Sequence, residues 1–199
     1  GDILLVIFAF TLGHVFLVLG AYVSYSPYAH IGAERELIQL MAVEPMIIIA
    51  AIGLYQVNGS FLIGDMANHP GLPILLLPGV FLGFIYILTF KLRKSPFDLA
   101  TSHHAHQELV KGSTTEFSGW TLAMVELAHI YELVVMLGFI WLFFGDNLIL
   151  CVAAIAIIMI LEILVDNCTS RVRWQDAMTS AWFVTLVAGA GNIFALSIM

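Results

Sequence analysis

The stretch Leu148-Ile-Leu-Cys-Val-Ala-Ala-Ile-Ala-Ile-Ile-Met-Ile-Leu161 contains no charged residue, and its apolar character is continuous rather than alternating. The whole chain of 199 residues follows the same trend, with 61% hydrophobic residues, 11% charged residues and a mean hydropathy of +0.99. Soluble domains are roughly 45–50% apolar and about 25% charged. A soluble core of this size could not bury so much apolar surface, so we expect the lipid bilayer to be the solvent for most of the chain.

Six apolar stretches are long enough to cross the hydrocarbon core, which needs about 20 helical residues. Continuous apolarity argues against a transmembrane β-barrel, whose strands show short alternating segments. The first stretch follows Gly1-Asp2 without a basic leader, which argues against a cleavable signal peptide. In the third stretch, Gly79-x-x-x-Gly83 fits close packing between membrane helices. The sequence predicts an all-α, polytopic membrane helix bundle, one membrane domain over 1–199, with transmembrane helices at about 3–23, 37–57, 72–90, 120–144, 147–165 and 177–198.

The charged residues predict the orientation of this bundle. With six helices, the connections 24–36, 91–119 and 166–176 lie on one side of the membrane, and 58–71 and 145–146 lie on the other. All 7 basic residues fall on the first side, which the positive-inside rule assigns to the cytoplasm. Loop 91–119 has about 29 residues of dense charge, more than a connection between helices requires. We therefore expect a multi-pass protein of the cell membrane whose cytoplasmic loops meet a partner or a ligand.

Glu44 lies within the second predicted helix, directly before Pro45. A carboxylate near mid-membrane costs about 2.5–3.5 kcal/mol on insertion scales, and the proline frees a backbone carbonyl one turn back. In membrane proteins such a residue by default indicates a proton or ion path. The alternative is a neutral glutamate that is merely hydrogen-bonded between helices.

Further ionisable residues lie in later helices. Glu126, His129 and Glu132 follow one another at i+3 spacing in helix 120–144. Alternating carboxylate and imidazole groups suit proton transfer, whereas one histidine with two carboxylates is a weak candidate for a metal site. Glu162 and Asp166 share a face at the end of helix 147–165, where an interfacial cap is the alternative. The predicted proton or ion path consists of Glu44, Glu126, His129, Glu132, Glu162 and Asp166.

The sequence offers no clear ligand set for a redox centre or a metal. Cys151 and Cys168 form neither a CxxC motif nor a Cys/His cluster, which argues against an iron–sulfur site or a zinc knot. His103, His104 and His106 cannot all turn toward one ion without a special loop, so we favour hydrogen bonding or proton donation at a docking surface. The formal net charge of -7 argues against a nucleic-acid partner. We expect no catalytic residue, cofactor or metal in this chain.

Three segments carry motifs of a known family. Ser26-Pro-Tyr-Ala-His-Ile-Gly-Ala-Glu-Arg-Glu-Leu-Ile-Gln-Leu-Met-Ala-Val-Glu44 is similar to the motif S-x-Y-(x)-G-A-x-R…Q…E. Ser95-Pro-Phe-Asp98, Gln107-Glu-Leu-Val110 and Thr115-Glu-Phe-Ser-Gly119 are similar to P-F-D…E-L-V…T-E-(Y/F)-S-G, and Arg171-Val-Arg-Trp-Gln-Asp176 is similar to R-x-R-(Y/W)-(D/Q). In this order, over nearly the whole chain, the segments resemble the membrane subunit 1 family of respiratory complex I and its relatives in energy-converting, membrane-bound (group 4) [NiFe] hydrogenases.

The resemblance implies roles for individual residues. Four acids match positions that the family places between its hydrophilic redox arm and its ion-translocating membrane subunits; they are Glu44, Asp98, Glu108 and Glu116. Complex I has a glutamate where this chain has His129, and with the histidines at 103–106 this resembles the hydrogenase branch, which has no quinone to reduce. The docking and coupling residues expected in the loops are Arg35, Asp98, His103, His104, His106, Glu108, Glu116, Arg171 and Arg173.

The resemblance also implies a function, that of the membrane anchor and coupling subunit of an energy-converting hydrogenase. Its expected partners are the hydrophilic large and small hydrogenase subunits, antiporter-like membrane subunits, ferredoxin through the complex, and the lipid bilayer. The [NiFe] centre and the iron–sulfur clusters are expected in those partner subunits. The alternatives are a quinone-reducing complex I subunit, a subunit of a related sulfur-reducing complex, an independent transporter or a purely structural anchor. The family has two further N-terminal helices, which nothing in this chain matches.

Overall fold

The computed structural model describes residues 1–92, 97, 112–170 and 172–198, and the named elements in this part of the chain are helices. The first half contains α1 (Ile3–Val23), α2 (Pro27–Asn58), α3 (Ile63–Ala67) and α4 (Pro78–Lys91). The second half contains α5 (Trp120–Leu142), α6 (Leu148–Cys168), α7 (Trp174–Val184), a π-helical segment (Thr185–Ala190) and α8 (Gly191–Ile198). The predicted all-α membrane architecture is confirmed.

The number of membrane-spanning helices differs from the prediction. Within the described part, 5 helices are long and apolar enough to span a bilayer: α1, α2, α5, α6 and the continuous helix Trp174–Ile198. The prediction of a sixth at 72–90 is wrong, because α4 has only 14 residues, about 21 Å of helix against a hydrocarbon core of about 30 Å. Pro73 and Pro78 explain this, since proline lacks the amide donor of a helix interior and favours a first turn.

Helix α2 is the central element and begins at Pro27 rather than at residue 37. The prediction of a loop at 24–36 is therefore wrong for all but its first three residues, because proline at the first turn starts a helix. The helix ends before Gly59, whose φ of 72° allows its amide to donate to the Tyr55 carbonyl at 2.7 Å. It continues through Pro45, since a chain in a bilayer best satisfies its backbone polar groups within a helix.

Close backbone approaches hold α4 against its neighbours. A Cβ added at Gly79 would lie 2.6 Å from the Ala188 carbonyl oxygen, and one added at Gly83 would lie 2.5 Å from Met46 Cε on α2. Glycine is required for both approaches, so the predicted packing role of Gly79-x-x-x-Gly83 is confirmed.

The packed core and the outward surface separate clearly. The core includes Met46 and Leu54 of α2 and Phe84 of α4, which are at most 1% exposed. Helix α6 exposes large apolar side chains along its length, among them Ile149, Val152, Ile157 and Leu164. This is the surface expected of a helix that faces lipid. Between α1 and α5 lies a groove of about 750 Å³.

Candidate functional site

Four ionisable side chains from four helices meet inside the bundle. His14 lies on α1, Glu44 on α2, Lys91 at the end of α4, and Glu132 on α5. The Lys91 Nζ donates to Glu132 Oε1 at 2.6 Å and lies 3.7 Å from Glu44 Oε1. The His14 Nε2 lies 3.3 Å from the other oxygen of Glu132, Oε2. We call these four residues the buried cluster.

The buried cluster lies at mid-depth in the bundle. Along α5, Glu132 is roughly 18 Å from the first residue and roughly 15 Å from the last. Along α1, His14 is roughly 17 Å from the first residue and roughly 14 Å from the last. These positions are near the middle of a hydrocarbon core about 30 Å thick, where ionisable side chains are rare and functional.

The two acids of the buried cluster share one ammonium group. All four side chains are at most 15% exposed, so water screens their charges little. Glu132 contacts both Lys91 and His14, whereas Glu44 has the longer approach to Lys91 as its only charged contact in the described part. A buried carboxylate without a cation is costly. A proton on one acid would therefore leave the lysine to the other.

Two small cavities lie beside Lys91, each of about 10 Å³. That is roughly the space one water molecule needs. One cavity borders Glu44, and the other is lined by His14, Glu36, Gln39, Lys91 and Glu132. Gln39 is 7% exposed, and its Nε2 donates to the Phe90 carbonyl at 2.7 Å. Its Oε1 has no hydrogen-bond partner among the residues that the structure describes, so a water in this cavity would satisfy it.

The groove between α1 and α5 reaches the buried cluster. We call the end of the bundle that carries residues 24–26 and 112–119 the loop end. Near this end the groove is lined by Gly20, Phe117 and Trp120, and at its deep end by His14 and Glu132. The buried cluster is therefore accessible from the loop end through the groove.

The structure separates the acids of the predicted path. Glu132 is 4% exposed and joins the buried cluster, whereas Glu126 is exposed and His129 lines the groove. Six residues along a helix turn its direction by about 240°, so Glu126 and Glu132 point to different sides. Glu162 on α6 is 3% exposed and accepts a hydrogen bond from Thr89 Oγ1 at 3.2 Å. Asp166, one turn later, is partly buried.

The predicted docking residues divide into two groups. Arg35, Glu116 and Arg173 are exposed. The remaining ones, Asp98, His103, His104, His106, Glu108 and Arg171, lie outside the described residues. In the ranges 1–92, 112–170 and 172–198, no three His, Cys, Asp or Glu side chains are grouped so as to hold a metal ion.

Residues 112–114 bring the long loop back onto the bundle. They form a buried 3-10 turn against α2, and a Cβ at Gly32 would collide with the backbone of Gly112 and Ser113. The Phe117 ring lies close to Gly20 on α1. The motif at 26–44 and the motif at 115–119 are therefore neighbours in space.

Sequence reasoning does not find two members of the buried cluster. His14 interrupts an otherwise apolar span, and the cost of an intramembrane charge that singles out Glu44 applies to it as well. Lys91 falls in the predicted cytoplasmic loop, because the predicted span ends at residue 90. Only the short α4 places its ammonium group between two acids.

Comparison with protein families identifies the chain. The family model described as NADH dehydrogenase matches residues 1–197. The chain belongs to this family. Membership in the NADH dehydrogenase family confirms the resemblance to membrane subunit 1 of complex I.

Relatives in the NADH dehydrogenase family come from several kinds of complex. Hydrogenase-4 component C of Escherichia coli is 29% identical over 99% of this chain and 67% of its own length. A second H-type subunit of NADH-quinone oxidoreductase from Cereibacter sphaeroides is 31% identical over 89% of this chain and 58% of its own length. Formate hydrogenlyase subunit 4 of Escherichia coli is 25% identical over 98% of this chain and 66% of its own length. The chain thus spans about three-fifths to two-thirds of these relatives.

A solved structure supports the same grouping. A chain of the membrane-bound sulfane sulfur reductase, an archaeal respiratory membrane complex, is similar with a TM-score of 0.77 and 25% sequence identity. The similarity covers 98% of this chain and 69% of that one. The relatives are subunits of oxidoreductase complexes, and this member of the NADH dehydrogenase family is similar to their membrane subunits.

Proposed function

We propose that this chain is the membrane anchor and coupling subunit of an energy-converting [NiFe] hydrogenase. Partner subunits would oxidise ferredoxin and reduce protons, and this chain would link that reaction to translocation of protons or sodium ions. The matches to hydrogenase-4 component C and formate hydrogenlyase subunit 4, over 99% and 98% of this chain, support the hydrogenase assignment. In this proposal the [NiFe] centre and the iron–sulfur clusters belong to partner subunits.

The buried cluster is the observation that carries the coupling role. A lysine held 2.6 Å from one acid and 3.7 Å from another is an element with two arrangements. The protonation state of either acid would bias the lysine toward the other, and the low dielectric of the interior strengthens this effect. A purely structural anchor has no need of charges at a depth where each one is costly.

Helix α2 would connect the buried cluster to the loops where partners dock. Its N-terminal half packs against the 112–114 turn at Gly32 and carries the exposed Arg35. The same helix then presents Gln39 to one small cavity and Glu44 to the lysine. A displacement or charge change at the docked face would thus reach the cluster through one rigid element. In this proposal the hydrophilic subunits dock at the loop end, and antiporter-like subunits lie beside this chain in the membrane.

Two other assignments have support from individual relatives. The similarity to a sulfane sulfur reductase chain, with a TM-score of 0.77, favours the membrane subunit of a sulfur-reducing complex. The match to the NADH-quinone oxidoreductase subunit of Cereibacter sphaeroides at 31% identity favours a quinone-reducing complex I subunit. Nickel content and ferredoxin-driven hydrogen evolution of the purified complex separate the three. Hydrogen evolution without dependence on quinone or polysulfide is expected for the hydrogenase.

The substitution Glu132→Gln tests the coupling role. It removes one charge of the buried cluster with little change in volume, so hydrogen evolution in mild detergent should be retained. The ion gradient formed in vesicles per hydrogen evolved should fall about tenfold, within the 1–3 kcal/mol typical of coupling between sites. Asp146→Asn is the matched control, because Asp146 is exposed at the opposite end of the bundle from the loops. A normal gradient in the Glu132→Gln complex would exclude this role.

A further inference from the structure

We propose that His14 carries protons from the groove between α1 and α5 to Glu132, so that the ion coupled at the buried cluster is a proton. This inference rests on the proposed coupling role and adds the ion and its route. His14 is not one of the residues that the family motifs select, and its assignment depends on contacts seen only in the folded chain.

The two ring nitrogens of His14 have different partners. Nδ1 lies 3.1 Å from the carbonyl oxygen of Phe10, one turn earlier on α1. A carbonyl oxygen can only accept, so this contact holds a proton on Nδ1. Nε2 lies 3.3 Å from Glu132 Oε2 and is the nitrogen left to gain and lose a proton. This is the arrangement that a histidine relay requires.

The groove brings the proton to this nitrogen. It has a volume of about 750 Å³, and both His14 and Glu132 line its deep end. The neighbouring Gly13 adds no bulk there, since a Cβ at this position would meet nothing within 4 Å. On the other side of the imidazole, the small cavity at Gln39 has room for about one water molecule. His14 therefore stands between an open groove and an enclosed polar site.

The proton transfer balances in two steps. In the first, a hydronium ion in the groove protonates Nε2 and becomes water. In the second, the Nε2–H bond breaks and an O–H bond forms at Glu132 Oε2, which leaves a neutral imidazole and a neutral carboxylic acid. The Lys91 ammonium then has Glu44 as its remaining charged neighbour in the buried cluster. The other ionisable groups facing this site are Glu36 in the small cavity and His129 in the groove.

The position of Lys91 argues against a sodium ion at the same place. A hard cation would need the oxygens of Glu44 and Glu132 as ligands. The lysine ammonium already lies between these two carboxylates, at 3.7 and 2.6 Å, and it is tethered to α4. A proton needs only one oxygen and leaves the ammonium in place. The cluster is therefore built to exchange protons.

The test replaces His14 by alanine and supplies the missing group from outside. Vesicles containing the whole complex are driven by its own electron transfer, and the membrane potential is followed with an oxonol dye. A potential readout is chosen because imidazole, a permeant weak base, collapses pH gradients. The rate of potential formation should fall about tenfold or more in His14→Ala, the scale of a lost proton-transfer group. Added imidazole should restore it in a concentration-dependent manner, because the groove reaches the vacated position.

Three comparisons make the result specific. Pyrrole, a ring of the same size without a basic nitrogen, should restore nothing, and His69→Ala should respond to neither compound. His14→Gln, which is polar and cannot carry a proton, should be as defective as His14→Ala. Replacement of sodium by choline should leave the wild-type rate unchanged.

The contrary outcomes are equally definite. A normal rate in His14→Gln, a failure of imidazole to restore His14→Ala, or a requirement for sodium would each overturn the inference. A normal His14→Ala complex beside an uncoupled Glu132→Gln complex would leave the coupling role intact and remove only the relay. Normal behaviour of both variants would remove both.

Discussion

Lys91 is the residue on which the geometry of the site depends. Its side chain is 9% exposed, and its ammonium joins an acid of α5 to an acid of α2. A buried ion pair adds little net stability compared with apolar packing, but removal of one partner leaves the other charge uncompensated. The pair therefore specifies how α2, α4 and α5 are arranged more than it stabilises them.

Lys91→Met should destabilise the protein, because it leaves two buried carboxylates without their cation. We expect a loss of about 3–5 kcal/mol, seen as a lower midpoint of thermal unfolding by circular dichroism in detergent. The double variant Lys91→Met/Glu132→Gln should recover much of the loss, since one stranded charge is removed. Arg173→Met, at an exposed position, is the control. Additive effects of the two single changes would show that the ion pair has no such role.

At the scale of the elements, helix lengths follow from proline and glycine positions. The bounds of α1, α5 and α6 lie within about three residues of those predicted from apolarity alone. Helices α2 and α4 differ more, because Pro27 starts one helix early and Pro78 starts the other late. The shorter α4 then fits between α2 and the π-helical segment through Gly79 and Gly83.

Gly83→Val should separate α4 from α2. Its Cβ would lie 2.5 Å from Met46 Cε, and overpacking of this kind costs roughly 1–3 kcal/mol. The thermal midpoint should fall, and Glu132→Gln should then have a smaller additional effect because Lys91 is displaced. Gly138→Val is the matched control, since a Cβ at this glycine of α5 meets nothing within 4 Å. Equal midpoints for the two variants would contradict the packing role.

At the scale of the whole molecule, the orientation in the membrane remains a prediction of the positive-inside rule. Lys91 is inside the bundle, which leaves six of the basic residues to define the cytoplasmic side. The two cysteines provide natural probes, because Cys168 is exposed at the loop end of α6 and Cys151 is buried near the other end.

A membrane-impermeant maleimide should label Cys168 from the cytoplasmic side only. Inside-out vesicles stripped of soluble subunits should therefore be labelled, whereas intact cells should not. Cys168→Ser should abolish the signal, and Cys151→Ser should leave it unchanged because burial protects that thiol. Labelling of intact cells would mean that the loop end faces outward.

The sequence by itself determined the class of the protein, most of its helices and the importance of Glu44 and Glu132. Each of these follows from the energy of single residues in a bilayer, which depends on composition and can be read locally. Only the tertiary structure decided which acids act together. Glu44 and Glu132 are 88 positions apart, Glu126 is turned away although it is close in sequence, and Lys91 and His14 complete the site from two further helices. Partners of a buried charge are chosen by helix length, rotation and close packing, which no single stretch of sequence contains.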